Sequence, residues 1–201
     1  MKTPPFDNMQ NWEDRYRNGD TPWDKGYAAP PLKDFLSHKK MLGKIFVPGC
    51  GEGHDVRILA QQGAEVVGLD WAASAIERAE SFPKVGKESY VKGDLFNLSP
   101  HFKNAFDWVF EHTCFCAIPL IQRAEYVRVV YEVLKDSGFL FGIFFLNPDL
   151  KGDEGPPFPV RKEELDAFFS PCFKLHEEIV PFSSYPGREG RELACLFQKK
   201  H

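Results

Sequence analysis

The sequence predicts an α/β fold: a doubly wound, mostly parallel sheet of seven strands with an antiparallel edge and a helical N-terminal segment laid over it. Three observations lead there. Short apolar runs alternate with helix-period stretches through most of the chain, which requires strand–helix–strand crossovers and parallel pairing. The first run, 44–47, breaks into glycines at alternate positions, Gly49, Gly51 and Gly53, and a second run closes on Asp70 seventeen residues after Gly53. The last two runs, 173–180 and 193–198, are joined by a Gly/Ser/Pro-rich stretch with no helix between them, so they pair antiparallel at an edge.

In chain order, 11–17 reads as a short helix with Asn8 as its N-cap. Residues 20–26 are turn-rich, and 31–37 is a helix with proline in its first turn. Strand 44–47 is followed by helix 55–62, strand 65–70 by helix 72–82, and then comes a short strand, 89–92. Strand 106–110 leads to an amphipathic helix, 122–134, and then to strand 138–145. That strand is nearly all apolar, as a central strand covered on both faces should be. Helix 161–169 precedes the edge pair. The chain has 201 residues, which suits a single domain over 1–201, with 1–43 as a lid segment and 44–201 as the α/β core. Ligands in such sheets bind at the carboxyl ends of the strands. The positions to examine are therefore 49–53, Asp70, Asp94 and Leu95, 111–117, and Asn147 onward.

Composition narrows the function. Hydrophobic residues make up 43% and charged residues 27%, with a net charge of −4. A protein gripping nucleic acid through phosphates would be basic, so no nucleic-acid partner is expected. Five cysteines at scattered spacing indicate reduced thiols and a cytoplasmic setting. Cys114-x-Cys116 has no second pair at ligand spacing, so no metal is expected. No apolar stretch is long enough to span a bilayer, and residues 1–7 lack an apolar signal core. Phenylalanine is frequent, at 19 residues. Core packing accounts for most of these, and an aromatic-lined dry pocket is a further possibility.

The glycine run selects the cofactor. Glycines there let the backbone approach a ligand, and an acid closing the second strand accepts hydrogen bonds from two ribose hydroxyls. A dinucleotide fingerprint, G-x-G-x-x-G, needs glycine at position 54, where this chain has His54. The observed G-x-G-x-G spacing is the habit of enzymes using S-adenosylmethionine (SAM), a ligand with no pyrophosphate to cradle.

With those positions aligned, the chain resembles the thiopurine S-methyltransferase family of SAM-dependent enzymes, most of all the branch that methylates halides, thiocyanate and small thiols. The similarity runs from about Trp12 to the last strand. It is carried by Trp12-Glu13-Asp14-Arg15-Tyr16, Thr21-Pro22-Trp23-Asp24, Pro48-Gly49-Cys50-Gly51-Glu52-Gly53-His54-Asp55, Gly93-Asp94-Leu95-Phe96, Phe115-Cys116-Ala117-Ile118-Pro119 and Gly155-Pro156-Pro157-Phe158. The resemblance implies that Gly49, with Gly51 in the same loop, approaches the methionine moiety. It implies that Asp70 binds the ribose, that Asp94 and Leu95 frame the adenine, and that Trp12, Tyr16 and Trp23 form a lid. Glu111 and His112 would lie beside the reacting sulfonium, and S-adenosylhomocysteine would be the product. Three features depart from the pattern. Tyr16 stands where relatives often carry tryptophan, His112 stands where plant relatives tend to have tyrosine, and the insert of the mammalian thiopurine enzymes is missing.

Methyl transfer from a sulfonium is an in-line displacement, so the protein contributes positioning and exclusion of water. Soft anions are already nucleophilic, and Phe115, Phe144, Phe145 and Trp23 are candidate walls of a dry site for them. Alternation along a strand lets only one of Phe144 and Phe145 face the ligand. An imidazole exchanges protons near neutral pH, so His112 is either a base for a neutral thiol or a histidine bonded at a strand end. Arg123 aligns with a substrate-facing arginine of thiopurine-type relatives, and the other reading is a solvated arginine at a helix start. Cys116 lacks a partner base and reads as structural. The expected activity is methyl transfer to hydrosulfide, a small thiol, or a halide or thiocyanate. Larger aromatic or heterocyclic thiols remain open as the alternative acceptors. A nitrogen methyltransferase, an NAD-dependent oxidoreductase and a non-catalytic SAM-binding module are the competing classes.

Overall fold

The strands are β1 (Lys44–Pro48), β2 (Glu65–Asp70), β3 (Lys87–Lys92), β4 (Phe106–His112), β5 (Leu134–Phe145), β6 (Phe173–Ile179) and β7 (Glu192–Lys199). In the computed structural model, which describes residues 8–146 and 155–201, they form one sheet in the order β3-β2-β1-β4-β5-β7-β6. The first five strands pair in parallel. β7 inserts antiparallel between β5 and β6, so the expected antiparallel edge is present. The strand order reverses between β1 and β4, and a crevice opens there at the carboxyl ends of the strands.

Side-chain alternation along the strands divides the core into two layers. Phe46, Val109, Leu140 and Phe144 face one side with Tyr126, Val127 and Val130 of α5 (Arg123–Val133) and Leu165 and Phe169 of α6 (Lys162–Phe169). Ile45, Val47, Phe110, Phe141 and Ile143 face the other side. There they meet Leu32 and Phe35 of α2 (Pro30–His38) and Val56 and Leu59 of α3 (His54–Gln61). Each fully buried phenylalanine contributes about 1.5–3 kcal/mol of transfer free energy, and burial of this kind holds the sheet rigid behind the crevice. α1 (Asn8–Asn18) lies against α4 (Ala73–Ser81).

Several boundaries differ from the sequence reading. α1 begins at Asn8, earlier than 11, which makes that residue part of the helix and not its cap. β4 continues past Phe110 to His112, pairing there with Ile143, and so carries Glu111 and His112 to the sheet end. β5 starts directly from α5 at Leu134. The sequence reading begins this strand at 138, past Asp136 and Ser137. They form a bulge, with Ser137 at φ 60, and pairing resumes beyond it. Single turns of 3-10 helix at Phe115–Ala117 and Leu120–Gln122 were not expected, because they are too short to leave a periodic signature. No helix among the described residues is long and apolar enough to cross a membrane.

Candidate active site

A cavity of about 600 Å³ opens at the β1/β4 reversal, within the ~300–1,000 Å³ usual for small-ligand sites. Its β1–β2–β3 side is built around the glycine loop after β1, with Asp70 and Asp94 beside it. Gly49, Gly51 and Gly53 all take left-handed φ, at 61°, 53° and 74°. At Gly51 a side chain would be strained twice. Its backbone conformation disfavours a Cβ, and a Cβ placed there would stand 2.9 Å from the Tyr16 hydroxyl. The Asp70 carboxylate holds this loop in place, accepting hydrogen bonds from the Gly51 N–H and the Ala72 N–H, both at 2.9 Å. Burial pushes the Asp70 carboxyl up from its ordinary value, and the amide donors pull the other way. Asp94 accepts from the Phe96 N–H at 2.9 Å and lines the cavity beside Leu95.

The N-terminal segment covers this side with rings. Trp12 and Trp23 meet edge to face at 5.0 Å, and Tyr16 meets Trp23 at 5.7 Å. The Trp23 indole N–H donates to the Tyr16 hydroxyl at 3.2 Å, and the Arg15 guanidinium sits 4.3 Å from the Trp23 centroid. Polar contacts pin the segment to the core. Glu13 accepts from the Ser74 hydroxyl at 2.7 Å and from its N–H at 3.1 Å, and Arg78 donates to the Tyr16 carbonyl. Asp24, Glu52 and His54 place one ligand-type atom each within 4.8 Å of one another. Their charges are already met: His54 Nδ1 accepts from Arg57 at 2.8 Å, His54 Nε2 stands 3.3 Å from Asp24, and Glu52 pairs with Arg78 at 2.9 Å.

The β4–β5–β7 side is built of side chains. His112 lines it, with its Nδ1 2.9 Å from Asp55 Oδ2. Asp55 Oδ1 accepts from the Ala29 N–H at 2.7 Å. His112 Nε2 stands 3.4 Å from Arg188 Nη1 and 4.0 Å from Glu192 Oε1. Tyr185 stacks on the imidazole at 5.7 Å and 28°, its own hydroxyl donating to the Tyr27 carbonyl at 2.5 Å. Arg188 lies between Phe145 and Tyr185, 5.1 and 5.4 Å from their centroids.

Most residues singled out in the sequence reach the cavity: Trp12, Tyr16, Trp23, Gly49, Gly51, Asp70, Asp94, Leu95 and His112 all line it. Two do not. The Glu111 side chain points away into the core, where it accepts from the Cys114 and Phe115 N–H groups at 3.0 and 2.8 Å and from the Tyr126 hydroxyl. It shapes the turn after β4, and burial pushes its carboxyl up from the ordinary value. Arg123 is fully buried behind Phe115, 4.7 Å from that ring, with Glu164 at 3.7 Å. It is neither solvated nor substrate-facing, and its guanidinium nitrogens have no hydrogen-bond partner. Of the candidate walls, Trp23 and Phe145 face the cavity, while Phe115 and Phe144 pack in the core. Residues 147–154 of the stretch from Asn147 onward lie outside the described residues. Tyr185, Arg188 and Glu192 were missed, because a Gly/Ser/Pro-rich loop has no periodicity to mark which of its side chains turn inward. Asp55 sits in the glycine motif, and only the long-range contact to His112 gives it a role.

The family model for thiopurine S-methyltransferase (TPMT) matches residues 7–184. Thiocyanate methyltransferase 1 of Brassica oleracea is 38% identical over 195 residues, covering 94% of this chain and 84% of its own. Probable thiol methyltransferase 2 of Arabidopsis thaliana is 32% identical over 165 residues, covering 80% of this chain and 71% of its own. A solved structure of the 1,6-didemethyltoxoflavin-N1-methyltransferase of Burkholderia thailandensis, with 1,6-didemethyltoxoflavin and S-adenosylhomocysteine bound, superposes with a TM-score of 0.75. It covers 100% of this chain and 94% of its own at 15% identity, a likeness of fold.

Proposed function

The chain belongs to the thiopurine S-methyltransferase family of SAM-dependent methyltransferases, and on that premise we propose that its acceptor is a small, soft sulfur nucleophile such as hydrosulfide or a short thiol. One observation carries the reading. Where the crevice passes β4 and β5, its described wall sets Phe145, Tyr185, Ile118, Pro119, Pro156 and Pro157 around the imidazole of His112 and the guanidinium of Arg188.

The residues present fit the cofactor. Gly49 and Gly51 carry no side chain and hold left-handed φ, which suits close approach of the methionine portion to the main chain. Asp70 and Asp94 keep acceptor directions for the ribose hydroxyls and the adenine amine, and Leu95 lies beside Asp94. Trp12, Tyr16 and Trp23 would close over these groups and exclude water. Asp24, Glu52, Asp55, Asp70 and Asp94 outnumber Arg15, Lys25 and Arg188 on the wall. That balance suits a cationic ligand and disfavours a pyrophosphate. When bound, the cofactor supplies a methyl carbon on a positively charged sulfur.

The chain's part is to strip water from the acceptor, to hold its charge against Arg188, and to receive a proton at His112 Nε2 when the acceptor carries one. Thiocyanate and iodide are further acceptors on this reading, since they need only the apolar pocket and Arg188. The five unpaired cysteines support a reducing, cytoplasmic setting. Headspace gas chromatography of the purified protein with SAM and hydrosulfide, methanethiol, iodide, thiocyanate and thiophenol tests the proposal. The expected result is volatile methylated sulfur products from the first two. Methylation of thiophenol alone would move the acceptor class to aromatic thiols.

A further inference from the structure

We propose that Asp55 and Glu192 bracket His112 and fix it as a base, so that the pocket is equipped for acceptors that arrive protonated, neutral thiols and hydrogen sulfide, over acceptors already ionised. The inference rests on the proposed acceptor class and narrows it.

Two contacts define the state of the ring. An ionised carboxylate only accepts, so Asp55 Oδ2 at 2.9 Å requires the hydrogen on Nδ1. A guanidinium only donates, so Arg188 Nη1 at 3.4 Å faces an Nε2 that accepts. Both give the same tautomer, and it leaves the lone pair on Nε2, the nitrogen toward Arg188. Asp55 is itself held by the Ala29 N–H at 2.7 Å, and the ring is held by Tyr185 stacked at 5.7 Å.

The second carboxylate bears on the ring once it has taken up a proton. Glu192 is 2% exposed, and its Oε2 has no hydrogen-bond partner. Its Oε1 lies 4.0 Å from His112 Nε2 and 3.4 Å from Arg188 Nη1. A buried carboxylate so under-used is costly unless a positive charge faces it. Arg188 supplies one such charge at rest. Protonated His112 supplies another, flanked by Asp55 on one nitrogen and Glu192 on the other. Arg188 is then free to face the developing thiolate.

The step balances. The acceptor's S–H bond breaks and its proton goes to Nε2. The sulfur electron pair forms the new S–C bond. The bond from the methyl carbon to the sulfonium breaks with its electrons left on the departing sulfur, which becomes a neutral thioether. The imidazolium returns its proton to solvent after release of product. Iodide and thiocyanate have no proton to lose and gain nothing from this arrangement.

Asp55→Asn makes the sharpest test. With its Oδ1 still on the Ala29 N–H, the amide nitrogen faces Nδ1, which must then accept. The ring hydrogen moves to Nε2 and the lone pair moves to Nδ1. Long-range ¹H–¹⁵N NMR of the free protein should show His112 protonated at Nδ1 in the wild type and at Nε2 in the variant. Methylation of an alkyl thiol at neutral pH should fall by about 10²-fold or more, the low end for general base catalysis, while methylation of iodide changes only a few-fold. The deficit with the thiol should close above the thiol's own pKa, where the thiolate forms without help. Glu192→Gln, which keeps shape, should lower the thiol rate and spare iodide in the same way. Equal losses on thiol and iodide in both variants, or a wild-type His112 protonated at Nε2, would overturn the bracket. A wild type that binds SAM yet methylates none of these acceptors would refute the proposed function and with it the acceptor preference, whereas the NMR spectrum tests the bracket on its own.

Discussion

Past β1, β2 and β3 the cavity offers a ligand a glycine loop flanked by Asp70 and Asp94, and past β4, β5 and β7 it offers side chains gathered from distant stretches. The first half depends on three glycines within five positions and on an aspartate that fastens the loop they form. The second half joins Asp55 from α3, His112 from β4, Tyr185 and Arg188 from the loop after β6, and Glu192 from β7. Main-chain recognition changes only if the backbone moves. Side-chain recognition changes with single substitutions that leave the fold intact. A family sharing one cofactor and differing in acceptor would be expected to vary in the second half.

The contrast can be broken most severely at the seam between the halves. Glu111→Ala would leave the Tyr126 hydroxyl and the Cys114 and Phe115 amides without their shared acceptor in the core. At about 1–3 kcal/mol for each buried group left unsatisfied, the loss should reach about 3 kcal/mol or more in urea denaturation. A loss under about 1 kcal/mol would show that the turn after β4 holds itself. Next in size, Asp70→Ala should weaken SAM binding by about 1–3 kcal/mol, the usual penalty for unpaired buried polar groups. Unchanged affinity in calorimetry would detach this acid from the ribose.

A smaller effect concerns the rings over the first half. Trp12, Tyr16 and Trp23 are pinned at the edges by Glu13, Asp24 and Arg78, with the cavity beneath them. S-adenosylhomocysteine should therefore slow limited proteolysis between residues 8 and 30, since it gives these rings a face to cover. Equal cleavage rates with and without it would make the segment a fixed wall. Smallest of all, Arg123→Leu should shift stability by less than about 1 kcal/mol and spare turnover, because a buried cation with no hydrogen-bond partner is replaced by an apolar group. A large loss of turnover would restore a substrate-facing role for Arg123.

These two halves were also unequally visible in the sequence. The sheet, its helices and the cofactor side could be read from contiguous signals: apolar runs, glycines at fixed offsets, an acid ending a strand. The acceptor side could be read only at His112 and Phe145, because a strand end is a predictable address. Arg188 and Glu192 lie in or beside a loop whose conformation depends on tertiary contacts such as the Tyr185–Tyr27 bond. Glu111 and Arg123 show the opposite error. Both sit at addresses near the chemistry, yet whether a side chain there turns to the cavity or the core depends on partners, Tyr126 for one and Phe115 with Glu164 for the other.

Cys50, Cys114 and Cys116 all line the cavity. An enzyme of this kind stores a reactive alkylating agent against its own thiols, which belong to the same chemical class as its proposed acceptor. Burial is what keeps them out of competition. It raises all three thiols above their ordinary value, Cys116 to about 12, so that none offers a thiolate. Cys116 also turns its hydrogen toward the Thr113 carbonyl at 3.4 Å. On the proposed reading, discrimination between foreign sulfur and its own comes down to a proton: the acceptor would lose one to His112, while burial keeps the cysteines protonated. Prolonged incubation with SAM should leave the intact mass of the protein unchanged, and a gain of one methyl would locate the thiol at which that protection fails.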